Sequence, residues 1–315
     1  MRQPIGPVAR LCVCVLLLLA WAAVATPLTP DARSLLAKRR ILWLTGAESD
    51  HHDIPQANMV ALAKRLQITL DFHVDFVDHP AALTASDLAQ YDLIVASYMP
   101  KIDTLAEKPF GKAFKQWFLQ GDKGFVGLHS TGANSEGQWN WFRDTVLSMR
   151  YREHTDGEQK GTVRMTTDAS LRGLPVLAGL PSQAEIGCEW YSFDLLPKAP
   201  AAPTWPQCRV LYSLDETTLK LKDPMGTHPA AWIRKDGLGN RIFFTLMAHS
   251  DAGSASDFFQ GLVLRGLEYA AGYAEVTRVP GRIDPAQARS ARMTVAARAD
   301  GRKLTRASRI RPYRR

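Results

Sequence analysis

The 315-residue sequence lacks the short motifs of several common chemistries. It contains no Gly-x-Ser-x-Gly elbow, no phosphate-cradling Gly-x-x-x-x-Gly-Lys loop, no Gly-x-Gly-x-x-Gly turn and no His-Glu-x-x-His pair. These absences argue against a nucleotide or nicotinamide enzyme. Cysteine is scarce, with four in the whole chain, and two of them, Cys12 and Cys14, fall in the N-terminal segment. The apolar run 11–24 is shorter than the roughly 20 residues that a membrane span needs. With Arg2 and Arg10 ahead of it and Ala23-Val24-Ala25 behind, it reads as a signal peptide cleaved after Ala25. A twin-arginine signal is absent. Export to the periplasm or outside the cell is therefore expected. In an oxidising compartment Cys188 and Cys208 can pair, which would contribute about 3 kcal/mol in the chain-entropy model, or stand as two buried thiols.

Acidic residues are nearly missing from the C-terminus. Residues 281–315 hold eleven Lys or Arg and two Asp, so the formal net charge of +8 belongs to this tail. Residues 26–280 carry 26 basic and 29 acidic residues. The tail has few large apolar residues and is expected to be disordered. It can contact polyanions or an anionic membrane surface, but nothing in it marks specific nucleic-acid binding. Residues 26–280 are then one α/β domain.

Within that domain, apolar runs at 41–46, 91–96 and 124–128 and an alternating apolar–polar stretch at 70–77 are separated by helix-like patterns at 55–66, from Thr84, and at 107–120. This β-α order predicts a mostly parallel sheet with helices on both faces. Residues 139–147 are expected to add a helix. Farther on, 161–167, 185–193 and 210–214 read as extended, 171–182 as a loop, and 230–234 with 241–248 as a hairpin across a Gly-rich turn. A last helix is expected over 255–271, ending at Gly272.

Three strands hand over to histidine: the 41–46 run leads to His51 and His52, 124–128 to His129-Ser130, and 241–248 to His249-Ser250. Ligands of open parallel sheets bind outside the carboxyl ends of the strands. Imidazole exchanges protons near neutral pH, so convergence of His52, His129 and His249 marks a candidate acid–base site. His228 lies just before the 230–234 strand, and His154 sits in a charged loop. Glu189-Trp190-Tyr191 adds a carboxylate flanked by aromatics. Its Glu189 can act as acid or base or anchor sugar hydroxyls while a ring stacks on the sugar; alternatively it pairs with an arginine such as Arg234. A divalent metal on His52, His129 and His249 is conceivable, but no metal spacing indicates one, and no cofactor is expected.

In order, Gly124-x-x-Gly127-Leu128-His129-Ser130, Glu189-Trp190-Tyr191-x-Phe193, His228-Pro229-x-x-Trp232, Gly239-x-Arg241-Ile242-Phe243-Phe244-Thr245 and His249-Ser250 resemble the signature blocks of the ThuA-like (trehalose utilisation) family, over roughly residues 40–272. The resemblance implies the flavodoxin-like, class I glutamine amidotransferase-like fold: a three-layer sandwich with a mostly parallel sheet and an antiparallel extension. Amidotransferases of that fold place a nucleophilic cysteine in the turn where this chain has His129, so a thioester mechanism is excluded. The chain departs from the family where Cys188 precedes Glu189 in place of the frequent Asp, and where Ala248 precedes His249 in place of the more usual Gly.

The resemblance implies a disaccharide or 3-keto-sugar ligand. His129, His249 and His52 with Glu189 are then the catalytic residues, and Ser130, Trp190, Tyr191, His228 and Trp232 bind the ligand. Two other readings stay open: a non-catalytic carbohydrate-binding or envelope protein with the same fold, and a metal-dependent hydrolase.

Overall fold

The computed structural model describes residues 39–46, 53–70, 72–133, 139–195 and 208–272. The expected signal peptide, residues 47–52 with His51 and His52, and the basic tail lie outside the described residues.

The first half is a parallel α/β unit. Strands β1 (Arg40–Thr45), β2 (His73–Val77), β3 (Leu93–Ser97) and β4 (Gly124–Leu128) alternate with helices α1 (Asp53–Leu70), α2 (Ala85–Leu88) and α3 (Pro109–Leu119). Every residue of β3 and β4 is buried. A central parallel strand is covered on both faces, and this is why these segments read as unbroken apolar runs rather than alternating ones. Helix α3 starts with Pro at its first position, where the missing N–H costs nothing. It buries Phe110, Phe114, Trp117 and Phe118. Phe114 meets Phe125 of β4 and Trp139 edge-on at 5.8 and 5.7 Å, so the helix is fixed against the strand that carries His129. The expected strand at 70–77 is shorter than its pattern, because α1 runs on to Leu70.

The second half supplies β5 (Met149–His154), β6 (Gln159–Met165), β7 (Gln183–Cys188), β8 (Tyr191–Leu195), β9 (Arg209–Asp215), β10 (His228–Lys235) and β11 (Arg241–Thr245). Among the described residues, nine strands form one sheet in the order β2-β1-β3-β4-β11-β10-β9-β6-β7. Pairing is parallel from β2 through β4 to β11 and antiparallel from β11 to β7. The expected hairpin is β10–β11. Its turn is closed by Asp236, whose carboxylate accepts from the N–H groups of Leu238 and Asn240 at 2.9 Å each, and Gly239 takes a φ of +85°. After β11 come the short helix α4 (Asp251–Ala255) and the long α5 (Asp257–Ala270), each capped by a serine, Ser250 and Ser256. Among the described residues no helix is long and apolar enough to cross a membrane.

Other segments also differ from the sequence-based expectation. Residues 142–147 form a π-helical turn that ends at Ser148 with φ +57°. The span 185–193 is two strands: β7 belongs to the large sheet, β8 pairs with β5 in a separate two-stranded ribbon, and Glu189-Trp190 is the corner between them. His154, expected in a charged loop, ends strand β5. That strand alternates buried or half-buried with exposed residues, so Arg150, Arg152 and His154 form its solvent face while Glu153 lies half-buried on the face of Met149 and Tyr151.

Candidate active site

The carboxyl ends of β3, β4 and β11 are neighbours, and the residue next beyond β3 and β4, or close beyond β11, turns left-handed at each. Tyr98 has φ +53°, His129 φ +46° and Ala248 φ +69°. A non-glycine residue in this region costs about 1–2 kcal/mol, so the surroundings must hold it there. Tyr98 donates its hydroxyl to the Ala248 carbonyl at 2.6 Å, and its ring lies 5.6 Å from that of His129. The left-handed turn at Ala248 also gives a physical reason for glycine to be usual at this position.

His129 is fully buried. Its Nδ1 lies 2.6 Å from the Leu246 carbonyl, which can only accept, so the ring proton sits on Nδ1 and Nε2 carries the lone pair. Two donors converge on that lone pair: the Tyr191 hydroxyl at 3.2 Å and Nδ1 of His249 at 3.2 Å. The Glu189 carboxylate stands 3.5 Å from the same Nδ1 of His249. With its Nδ1 proton held between His129 and Glu189, His249 has Nε2 as its basic nitrogen. This is the logic by which a carboxylate orients a catalytic imidazole. The Glu189 and His249 side chains are 20% and 16% exposed, whereas the Tyr191 end of the chain of contacts is sealed. The chain of contacts therefore reaches solvent at Glu189 and His249.

Tyr191 begins β8, and its ring lies 4.9 Å from that of His129. Burial, then the nearby Cys188 and Tyr151, push its pKa well above the usual value, so its hydroxyl remains a donor at neutral pH. Tyr151 of β5 packs edge-on against it at 5.2 Å. Burial, followed by Glu189 and Glu153, raises the Tyr151 pKa to about 12. His154 closes this side with its ring 6.1 Å from that of Tyr191.

Several residues with an expected ligand role turn inward instead. Trp190 is fully buried and donates its indole N–H to the Gln159 carbonyl at 2.9 Å. Trp232 is 1% exposed between Phe193 and Phe244, with ring centroids at 5.5 and 4.8 Å. His228 is also fully buried, 2.9 Å from Glu216 and 3.0 Å from the Tyr191 carbonyl. None of the three offers a surface to a ligand. The Ser130 hydroxyl is buried in the turn beneath His129. Glu189 faces His249, while Arg234 binds Ser148 and the Thr145 carbonyl, so the alternative Glu189–Arg234 pair does not form.

Cys188 and Cys208 are free thiols. The Cys188 thiol donates to the carbonyls of Leu246 at 3.2 Å and Glu189 at 3.3 Å, and burial pushes its pKa far up. It is a packing group beside His129 rather than a nucleophile.

Sequence reasoning missed Tyr98 and Tyr151. Tyr98 follows β3 directly, so the strand-end criterion that singles out His129 also reaches it. Tyr151 had no such signal within its charged run. Among the described residues, no group of three or more His, Cys, Asp or Glu is arranged to hold a metal ion. An open cleft of about 480 Å³ lies beside the cluster, over the ends of β1, β2 and β3, lined in part by Gly46, His79, Met99 and Lys101. Among the described residues it approaches the chain of contacts through Met99, the neighbour of Tyr98.

The fold is therefore flavodoxin-like, of the class I glutamine amidotransferase type, with imidazole at the strand-to-turn elbow in place of a thiol. A family model described as trehalose utilisation, ThuA, matches residues 40–270, and the chain belongs to the ThuA family. No curated protein sequence matches it. Among solved structures, a ThuA-like protein from Bacteroides uniformis is 19% identical, with a TM-score of 0.60 over 76% of this chain and 93% of its own. A GMP synthase subunit from Thermoplasma acidophilum is 14% identical, with a TM-score of 0.46 over 76% of this chain and 97% of its own. The glutaminase domain of a Trypanosoma brucei CTPS is 12% identical, with a TM-score of 0.41 over 74% and 94%.

Proposed function

We propose that this ThuA-family protein is an exported enzyme that acts on a disaccharide or a 3-keto-sugar derivative by His/Glu acid–base chemistry. The observation that carries the reading is the run of contacts Glu189–His249–His129–Tyr191, open to solvent at one end and sealed at the other. In the proposed step, His249 takes the proton from the carbon beside a ketone. The C–H electron pair forms a carbon–carbon double bond as the neighbouring glycosidic C–O bond breaks, and the departing oxygen takes up a proton. The developing charge on His249 is balanced by Glu189. Glu189 thus orients and compensates rather than acting as the separate acid. The sugar itself is supported by the family alone, and export by the N-terminal sequence pattern.

The test uses residues 26–315, neutral disaccharides and 3-keto-disaccharides, with stability and turnover measured side by side. Turnover that falls at least 100-fold in both Glu189→Gln and His249→Asn, with ligand stabilisation retained, supports the reading. Ligand stabilisation without turnover in any form of the protein replaces it with a carbohydrate-binding role. The same screen with divalent metal alone addresses the hydrolase alternative, for which a metal-only stabilisation lost in His129→Asn is the supporting result.

A further inference from the structure

Behind the site, Tyr191 is held from its backbone as well as its ring. Nδ1 of His228 lies 2.9 Å from a Glu216 oxygen, and Nε2 lies 3.0 Å from the Tyr191 carbonyl. A carboxylate and a carbonyl both accept only, so the two contacts are made together only when both ring nitrogens carry protons. Glu216 is anchored in turn, because its oxygens accept from the N–H groups of Met225 at 2.7 Å and Gly226 at 2.9 Å. The ring itself is fully enclosed. Tyr191 then carries the link onward, since its hydroxyl meets Nε2 of His129 at 3.2 Å.

We propose that His228 is a proton-dependent positioning residue: doubly protonated between Glu216 and the Tyr191 carbonyl, it pins the start of β8 and holds the Tyr191 hydroxyl on His129. When His228 loses a proton, Nδ1–H stays with the carboxylate, and the bare Nε2 faces the carbonyl oxygen at 3.0 Å. That contact becomes repulsive and β8 is released at Tyr191.

The groups facing the ring set where this happens. Burial is the largest influence and holds the His228 pKa below its usual value. Glu216, from the turn after β9, and the Tyr191 carbonyl, from β8, favour the charged form. Arg152 of β5 opposes it, although its own charge is partly answered by Asp194 and Asp223 at 2.6 and 2.7 Å. Phe193 of β8 adds only an apolar edge at 6.0 Å. The sealed end of the site therefore responds to pH through a residue that no ligand touches. This inference deepens the acid–base reading of the same site, as its regulation.

The test is imidazole nitrogen NMR of the ¹⁵N-labelled protein, residues 26–315, from pH 5 to pH 8, with His228 assigned by its loss in His228→Gln. His228 is expected to hold protons on both nitrogens at the acid end and to lose the one on Nε2 as pH rises. The His129 nitrogen shifts are expected to move in step with that midpoint. Glu216→Gln, which removes the charge beside the ring, is expected to lower the midpoint, so that the ring holds one proton over more of this range and the His129 change moves with it. A His228 ring that holds one proton throughout, or a His129 signal that ignores the His228 midpoint, overturns the proposal. Should either variant fail to fold, the wild-type titration alone decides, using histidine assignments from connected backbone spectra. None of these signals requires turnover, so an inactive protein with coupled titrations refutes the acid–base reading and leaves this one standing.

Discussion

Replacing Tyr191 with Phe removes one oxygen from the sealed end of the site and leaves the ring where it packs, 4.9 Å from His129 and 5.2 Å from Tyr151. The lost hydroxyl is one of two donors to Nε2 of His129, the other being His249. An abandoned buried acceptor costs about 1–3 kcal/mol, but here one donor remains, so the lower end applies and about 1 kcal/mol is expected. For a domain of this size that is a fall in Tm of about 2–4 °C. Stability alone does not prove the contact, so the assay is a double-mutant cycle with His129→Asn, read by urea unfolding. Asn is chosen because it tolerates the left-handed φ of +46° at this position, which leaves the turn intact. A coupling energy of at least about 0.5 kcal/mol is expected for groups in contact. Additive single effects would mean that Tyr191 and His129 do not interact, and the reasoning about the lone pair on His129 would fall with them.

Trp232→Phe should lower stability by about 1–3 kcal/mol, through the smaller ring and the lost indole contact to the Leu147 carbonyl at 3.3 Å, while leaving the affinity for any sugar ligand unchanged; unchanged stability with lost affinity would restore the ligand role suggested by the sequence. Acid should weaken the fold in two stages. Burial opposes the charge on Glu216, but the N–H groups of Met225 and Gly226 and the His228 ring outweigh it and hold its pKa below 4.5, so its contribution is full above that value and is lost as pH falls through the depressed one. His228, held below 6.5 by burial, binds its proton more readily in the unfolded chain, so it works against folding as pH drops from 6.5. Urea midpoints measured at about pH 7, 5.5 and 4 should therefore decline, and a midpoint flat between the first two would contradict the His228 part.

Local pattern was enough for the architecture. The runs at 91–96 and 124–128 are apolar throughout because a central parallel strand has no solvent face, and the Pro–Gly brackets around α3 mark its ends with nothing else needed. The residue after each strand is also a local matter, which is how His129 and His249 could be singled out before their 3.2 Å contact was seen. The separation of Cys188 from Cys208 as free thiols, by contrast, had no local signature.

What the sequence by itself determined is the class of fold, the succession of its elements and the two histidines at strand ends, because each depends on periodicity within a dozen residues or on the turn next to a strand. Tertiary structure alone decided which way the other side chains face. Residues 185–193 read as one extended stretch, yet the chain changes sheets at Glu189-Trp190, and that corner sends Glu189 toward His249, Trp190 into the core and Tyr191 onto His129. His228 and Trp232 look like ligand residues by type, but β9 and β11 flank their strand, and Glu216 and Phe244 occupy their polar and apolar faces. A side chain's partners across a sheet are set by which strands lie beside it. That is a long-range property of the fold, and no window of the sequence contains it.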